Sequence, residues 1–192
     1  THGKSKDTSV RGSCSFSSLD NNGVDGSQFR WLNVSLARFE SDPARGDADD
    51  LAADYYGKQV ATAKATEGAT KVAMAPVMDI GEEAMAVRYD LKKKEGTFKQ
   101  QTVVARTENV VVTIDYDGAG LAGEKTPLAD DLMKEARRAA EEVVDAVAEA
   151  NESASRTPST RSPSSHSPAA DADGSSSSSA RRTKSPAPRK TS

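Results

Sequence analysis

FKQQTVVARTENVVVTIDY, running from Phe98 to Tyr116, is the stretch that decides the fold class. Two runs rich in Val, Thr and Ile, Phe98 to Arg106 and Val110 to Tyr116, flank the polar trio Thr107-Glu108-Asn109. β-branched side chains on either side of a short polar break predict a β-hairpin. Asp117-Gly118 through Gly123 then interrupts the pattern and reads as a flexible loop.

Working outward, Trp31 to Phe39 alternates with a period of two. Leu32, Val34 and Leu36 share one face, with Trp31 and Phe39 on the other, which predicts a strand. Val72 to Val77 predicts a short strand, placed by Pro76 at an edge or near its end. Ile80 to Glu83 reads as a turn. Met85, Val87, Tyr89 and Leu91 then line one side of a further strand, and Lys92 to Gly96 forms a charged hairpin loop.

Helical spacing governs the two remaining segments. Asp47 is placed to cap a helix that has Asp50 in its first turn and runs to about Glu67, with Gly68 as its stop. Leu51, Tyr55 and Gln59 recur on its wheel, as do Ala52, Tyr56, Val60 and Ala63, so the adjacent tyrosines read as packing residues. Pro127 precedes a second helix, Leu128 to Glu149, whose stripe is Leu128, Leu132, Ala136, Ala139, Val143 and Val147. The order predicts an α+β fold: a mostly antiparallel sheet of about four to five strands with two amphipathic helices packed on one face.

The 192 residues carry a formal charge of -3 and a mean hydropathy of -0.65, but neither is evenly spread. Residues 151–192 hold seven Lys/Arg against three Asp/Glu, a run of serines from Ser175 to Ser179 and repeated Ser-Pro steps, which leaves the remainder at -7. So little apolar surface cannot offset ordering entropy, and 151–192 is read as a disordered Ser/Pro/Arg-rich tail. Residues 1–13 are read as a flexible arm or truncated start, and 14–150 as a single α+β domain. Thr1 opens the chain without an initiator methionine, read as export with processing or as a fragment. The acidic body argues against a nucleic-acid partner.

Catalytic and metal signatures are sparse. His2 and His166 both lie in the predicted flexible ends, and no Cys-x-x-Cys or His-Glu-x-x-His spacing occurs. With no histidine in the domain to activate serine or Cys14, nucleophilic catalysis is not expected. Asp115 and Asp117 have the spacing of a carboxylate pair near a strand end, but solvated turn acids is the preferred reading. No catalytic, cofactor or metal residue is assigned. Cys14 is either a small side chain of a reduced protein, or in an exported one the half of a disulfide whose partner lies outside this chain.

Cys14-Ser-Phe16, followed by Trp31-Leu-Asn-Val-Ser35 and later by Ile80-Gly81-Glu82-Glu83-Ala84, resembles the second half of an actinobacterial lipoprotein family, domain of unknown function 3558. Glu82 stands where the family more often has Asp. The hairpin and closing helix, Phe98 to Glu149, look like the same group and resemble the extracellular sensor domains of mycobacterial-type serine/threonine kinases. The resemblance covers roughly residues 12 to 150. It implies a lipidated N-terminal cysteine as membrane anchor and a disulfide partner for Cys14, both outside this chain, and it brings no catalytic residues. The expectation is therefore a non-catalytic, extracytoplasmic binding or accessory module of the cell envelope, membrane-anchored or secreted, whose partner is an envelope protein or small ligand. The alternative is an intracellular protein-interaction domain with a disordered regulatory tail.

Overall fold

The computed structural model describes residues 10–21, 27–94, 96–120 and 125–156. Of the arm read over 1–13, residues 1–9 lie outside the described residues and 11–13 belong to the first strand; of the tail read over 151–192, residues 157–192 lie outside them and 151–156 close the second helix. The chain order is β1 (Arg11–Asn21), β2 (Ser27–Arg38), α1 (Ala48–Lys64), β3 (Ala69–Pro76), β4 (Glu83–Lys93), β5 (Gly96–Thr107), β6 (Val110–Gly120) and α2 (Ala129–Arg156). The α+β class and the antiparallel sheet are as the periodicities predict.

Six strands lie in the order β1-β2-β6-β5-β4-β3, every neighbouring pair antiparallel. The strand missing from the sequence reading is β1. Its Ser-rich sequence carries almost no alternation of apolar residues, since it is an edge strand whose side chains are largely exposed. It is held by backbone pairing, from Arg11↔Ala37 to Asn21↔Ser27, without a shift of register. The opposite edge is built differently: β3 has an irregularity between Thr70 and Ala73, a positive φ at Lys71, and Pro76 at its end.

Where one covered face was expected, the central strands have two. Successive side chains of a strand point to opposite sides, and Val103, Val104 and Ala105 are all fully buried. Val103 and Ala105, with Val112 and Ile114 of β6, pack under Met133, Ala136, Ala140 and Val144 of α2. Val104 and Val111 pack under Ala52 of α1, and Val87 and Tyr89 under its Ala63. The continuous Val-Val-Ala run is the signature of burial on both sides, which short apolar runs do not distinguish from one-sided alternation.

Local chemistry sets the helix ends. Asp47 occupies the N-cap of α1 with an extended backbone but makes no side-chain cap hydrogen bond. Ser41 Oγ instead accepts from the Ala48 N–H at 3.0 Å. Asp49 and Asp50 sit in the first turn and Lys64 in the last, matching the helix dipole. In α2 the buried line is Leu132, Met133, Ala136, Ala140 and Val144, with Ala139, Val143 and Val147 beside it. Leu128 precedes the helix and is exposed.

The turn between β3 and β4 is tied to the β5–β6 hairpin. The Glu82 N–H donates to the Arg106 carbonyl at 2.9 Å, and Glu82 Oε1 accepts from the Glu108 N–H at 2.9 Å. Arg106 reaches back to Glu82 at 2.7 Å and Glu83 at 2.6 Å. Gly81 is required here, because its φ is +60° and a Cβ would collide with the Arg106 carbonyl oxygen.

Candidate functional site

β6 does not stop at Tyr116. Asp117, Gly118, Ala119 and Gly120 continue its ladder, pairing with Trp31, Arg30, Phe29 and Gln28 of β2. The glycine that looked like a loop residue has a packing reason. A Cβ on Gly118 would lie 3.0 Å from both Leu132 and Pro127, so any larger residue would push back the approach to α2 where it passes over the strand. Asp115 and Asp117 are consequently not solvated turn acids. They are alternate residues of one strand and face the α1 side, away from Gly118.

On that side a polar row crosses four strands. Ser15 Oγ of β1 donates to Asn33 Oδ1 of β2 at 2.9 Å. Asn33 Nδ2 donates to Ser35 Oγ at 3.1 Å and to Asp115 Oδ2 of β6 at 3.4 Å. Thr102 Oγ1 of β5 donates to Asp115 Oδ1 at 2.8 Å. The register makes this row: Ser15 lies opposite Asn33, Asn33 opposite Asp115, and Asp115 opposite Thr102. The next row brings Trp31, Asp117, Gln100 and Tyr89 together in the same way.

Burial gives the two acids different characters. Burial pushes the Asp115 carboxyl above its ordinary range, while the hydrogen bonds from Thr102 and Asn33 oppose the rise. Asp117 is 7% exposed, and its Oδ1 has no hydrogen-bond partner among the described residues. Burial raises its pKa to about 7, the charge of Asp115 adds to the rise, and Gln100 and Lys93 act against it. Burial likewise raises the Tyr89 hydroxyl. The site thus offers one carboxylate fixed by two donors and a second with an open oxygen and a proton held near neutrality. Its chemistry is that of accepting hydrogen bonds or a positive charge. Among the described residues no three His, Cys, Asp or Glu side chains converge to hold a metal.

Cys14 lies opposite Val34 on β1, so it points to the α2 side, and it is an exposed free thiol. The structure therefore does not bring it together with the acids. Tyr55 and Tyr56 pack from α1 over Val104 and Val111, with the Phe39 and Tyr55 rings 5.2 Å apart. The Arg11 guanidinium lies 5.3 Å from the Tyr55 ring centroid. Asn33, Thr102 and Gln100 were missed as site residues. The readable signal was the pairing of two alternating strands with polar side chains on matching positions.

No family model matches the chain, and no curated protein matches it. The chain is similar to a solved structure described as LpqN, involved in cell envelope biogenesis of Mycobacterium tuberculosis. Identity is 13%, the match covers 74% of this chain and 87% of that one, and the TM-score is 0.34. A likeness of that degree carries no argument about function.

Proposed function

We propose that this chain is a non-catalytic binding or accessory module of the cell envelope, and that the row around Asp115 and Asp117 receives its ligand. One observation carries the binding half of this reading: Asp117 is buried with one carboxylate oxygen unpartnered among the described residues. A buried acceptor without a donor costs stability, and a ligand that supplies a donor would offset that cost. The open Asp117 oxygen, with the Asp115 carboxyl beside it on the strand, suits a ligand that presents a hydroxyl or ammonium donor. The envelope half is supported by the lipoprotein-like pattern of Cys14-Ser-Phe16, Trp31 to Ser35 and Ile80 to Ala84.

Backbone amide spectra of the whole chain, titrated with ethanolamine and with a neutral disaccharide, test the binding half. Shifts confined to Asn33, Thr102, Asp115, Asp117 and their neighbours, and lost in Asp117→Asn, are expected for one of the two. Absence of localised shifts with both probes overturns the assignment. Fractionation of the source cells, with intact mass before and after reduction, tests the location: recovery in the soluble cytoplasm with a free Cys14 counts against the envelope.

A further inference from the structure

On the other side of the sheet, α2 lies over β5 and β6 and leaves the flank of β3 uncovered. A trough remains between the β3 edge and the N-terminal half of the helix. It comprises adjoining recesses of about 480, 210 and 180 Å³ that share Arg88. Small side chains leave the space open: exposed Ala73 and Ala75 and buried Ala86 line the floor, and Met133 closes the helix side. Ala73 pairs with Arg88 and Ala75 with Ala86, which places all four on the α2 side.

The trough concentrates positive charge on a body that is otherwise acidic. Its lining holds six cations and three acids. Most of the pairings are weak or already shared. Arg88 meets Asp130 at 3.1 Å, but that carboxylate is 91% exposed and the pair is solvent-screened. Lys71 and Lys99 share the single carboxylate of Asp90, at 3.0 and 3.5 Å. Among the described residues Lys134 and Arg137 have no ion-pair partner. At the inner end, Gln101 is 1% exposed and its Oε1 has no hydrogen-bond partner among the described residues. That amide lines the same recess as Lys71, Asp90 and Lys99.

We propose that this trough is a second binding site, separate from the acceptor row, for a small amphiphilic oxyanion. The guanidinium groups of Arg88 and Arg137 and the Lys134 ammonium hold its phosphate or carboxylate. The alanine floor and Met133 take its apolar body, and Gln101 Oε1 would accept from a hydroxyl where that body carries one. The combined chemistry, a few convergent polar groups over an apolar floor, is that of small-molecule sites.

Calorimetric titration of the full chain with octyl phosphate, below its micellar concentration, tests the assignment, with inorganic phosphate and octanol as companion probes. Octyl phosphate is expected to bind best and to weaken about tenfold in Arg137→Gln. Ala75→Leu, at an exposed strand position, fills the floor and is expected to weaken octyl phosphate while leaving any inorganic phosphate binding unchanged. Asp117→Asn is expected to change none of these. Equal affinity for inorganic and octyl phosphate overturns the proposal. So does octyl phosphate binding that ignores both substitutions, or no binding of octyl phosphate at all. If an acidic peptide binds here and octyl phosphate does not, the trough is a protein-docking groove and the small-ligand assignment fails.

Discussion

Asp117→Asn should make the folded protein more stable, and only above acidic pH. The ordinary aspartate value is 3.8 and the folded-state value is about 7. The folded protein therefore keeps a proton over an interval in which the unfolded chain has already released it. The contribution of this carboxyl is full below the unfolded value, declines as pH rises, and is lost once pH passes about 7. The gap corresponds to at most about 4 kcal/mol. Asparagine matches the shape of the protonated acid and cannot ionise. Urea unfolding of both proteins from pH 4 to 8.5 should thus show curves that coincide at the acid end and separate toward neutrality. A 4 kcal/mol gain would raise the melting temperature on the order of 10 °C at pH 8. A difference that is constant across the range, or one in which the variant is weaker at pH 8, refutes the account of a buried, poorly solvated carboxylate.

Four further substitutions test the fold itself. Gly81→Ala should cost roughly 3 kcal/mol, since it adds a positive-φ penalty to a collision with the Arg106 carbonyl. Gly57→Ala, in the middle of α1 with open space around it, should stabilise by about 0.5–1 kcal/mol in the same urea assay. Val103→Ala and Val104→Ala should each cost roughly 2 kcal/mol, because both side chains are fully buried. A near-neutral Val104→Ala would mean that α1 does not cover that side of the sheet.

Local signals were legible where side chains dictate them. The turn at Ile80 to Glu83, the Thr107 to Asn109 hairpin and both helices follow from glycine, polar breaks and helical spacing. Strand β1 was not legible, because its stability comes from backbone pairing with β2, to which serines contribute as well as valines do. The end of β6 was misread for a related reason. Gly118 looks like a loop residue alone, and its true constraint is the nearness of Pro127 and Leu132, which no local pattern contains. The same error hid the acids. Once β6 is extended to Gly120, the two-residue spacing of Asp115 and Asp117 places both on one side of the sheet. Their partners Asn33 and Thr102 come from strands distant in sequence, and only the register supplies them.

The pairing of β2 with β6 also has a consequence in time. Strands β3 to β6 form a meander of consecutive neighbours whose contacts close short loops. By contrast, the β1–β2 hairpin joins the sheet through β6 alone, and Asn33 and Asp115 are 82 residues apart. Contacts of such long range must offset a larger loop-closure entropy before they form. Folding should accordingly finish with the hairpin docking onto a preformed meander. The Ser15–Asn33 half of the acceptor row arrives with that last step, and Asp115 and Asp117 wait on the other half. A ligand bridging the two halves would act as a latch, slowing hydrogen exchange in β1 and β2 while leaving β4 and β5 as they were.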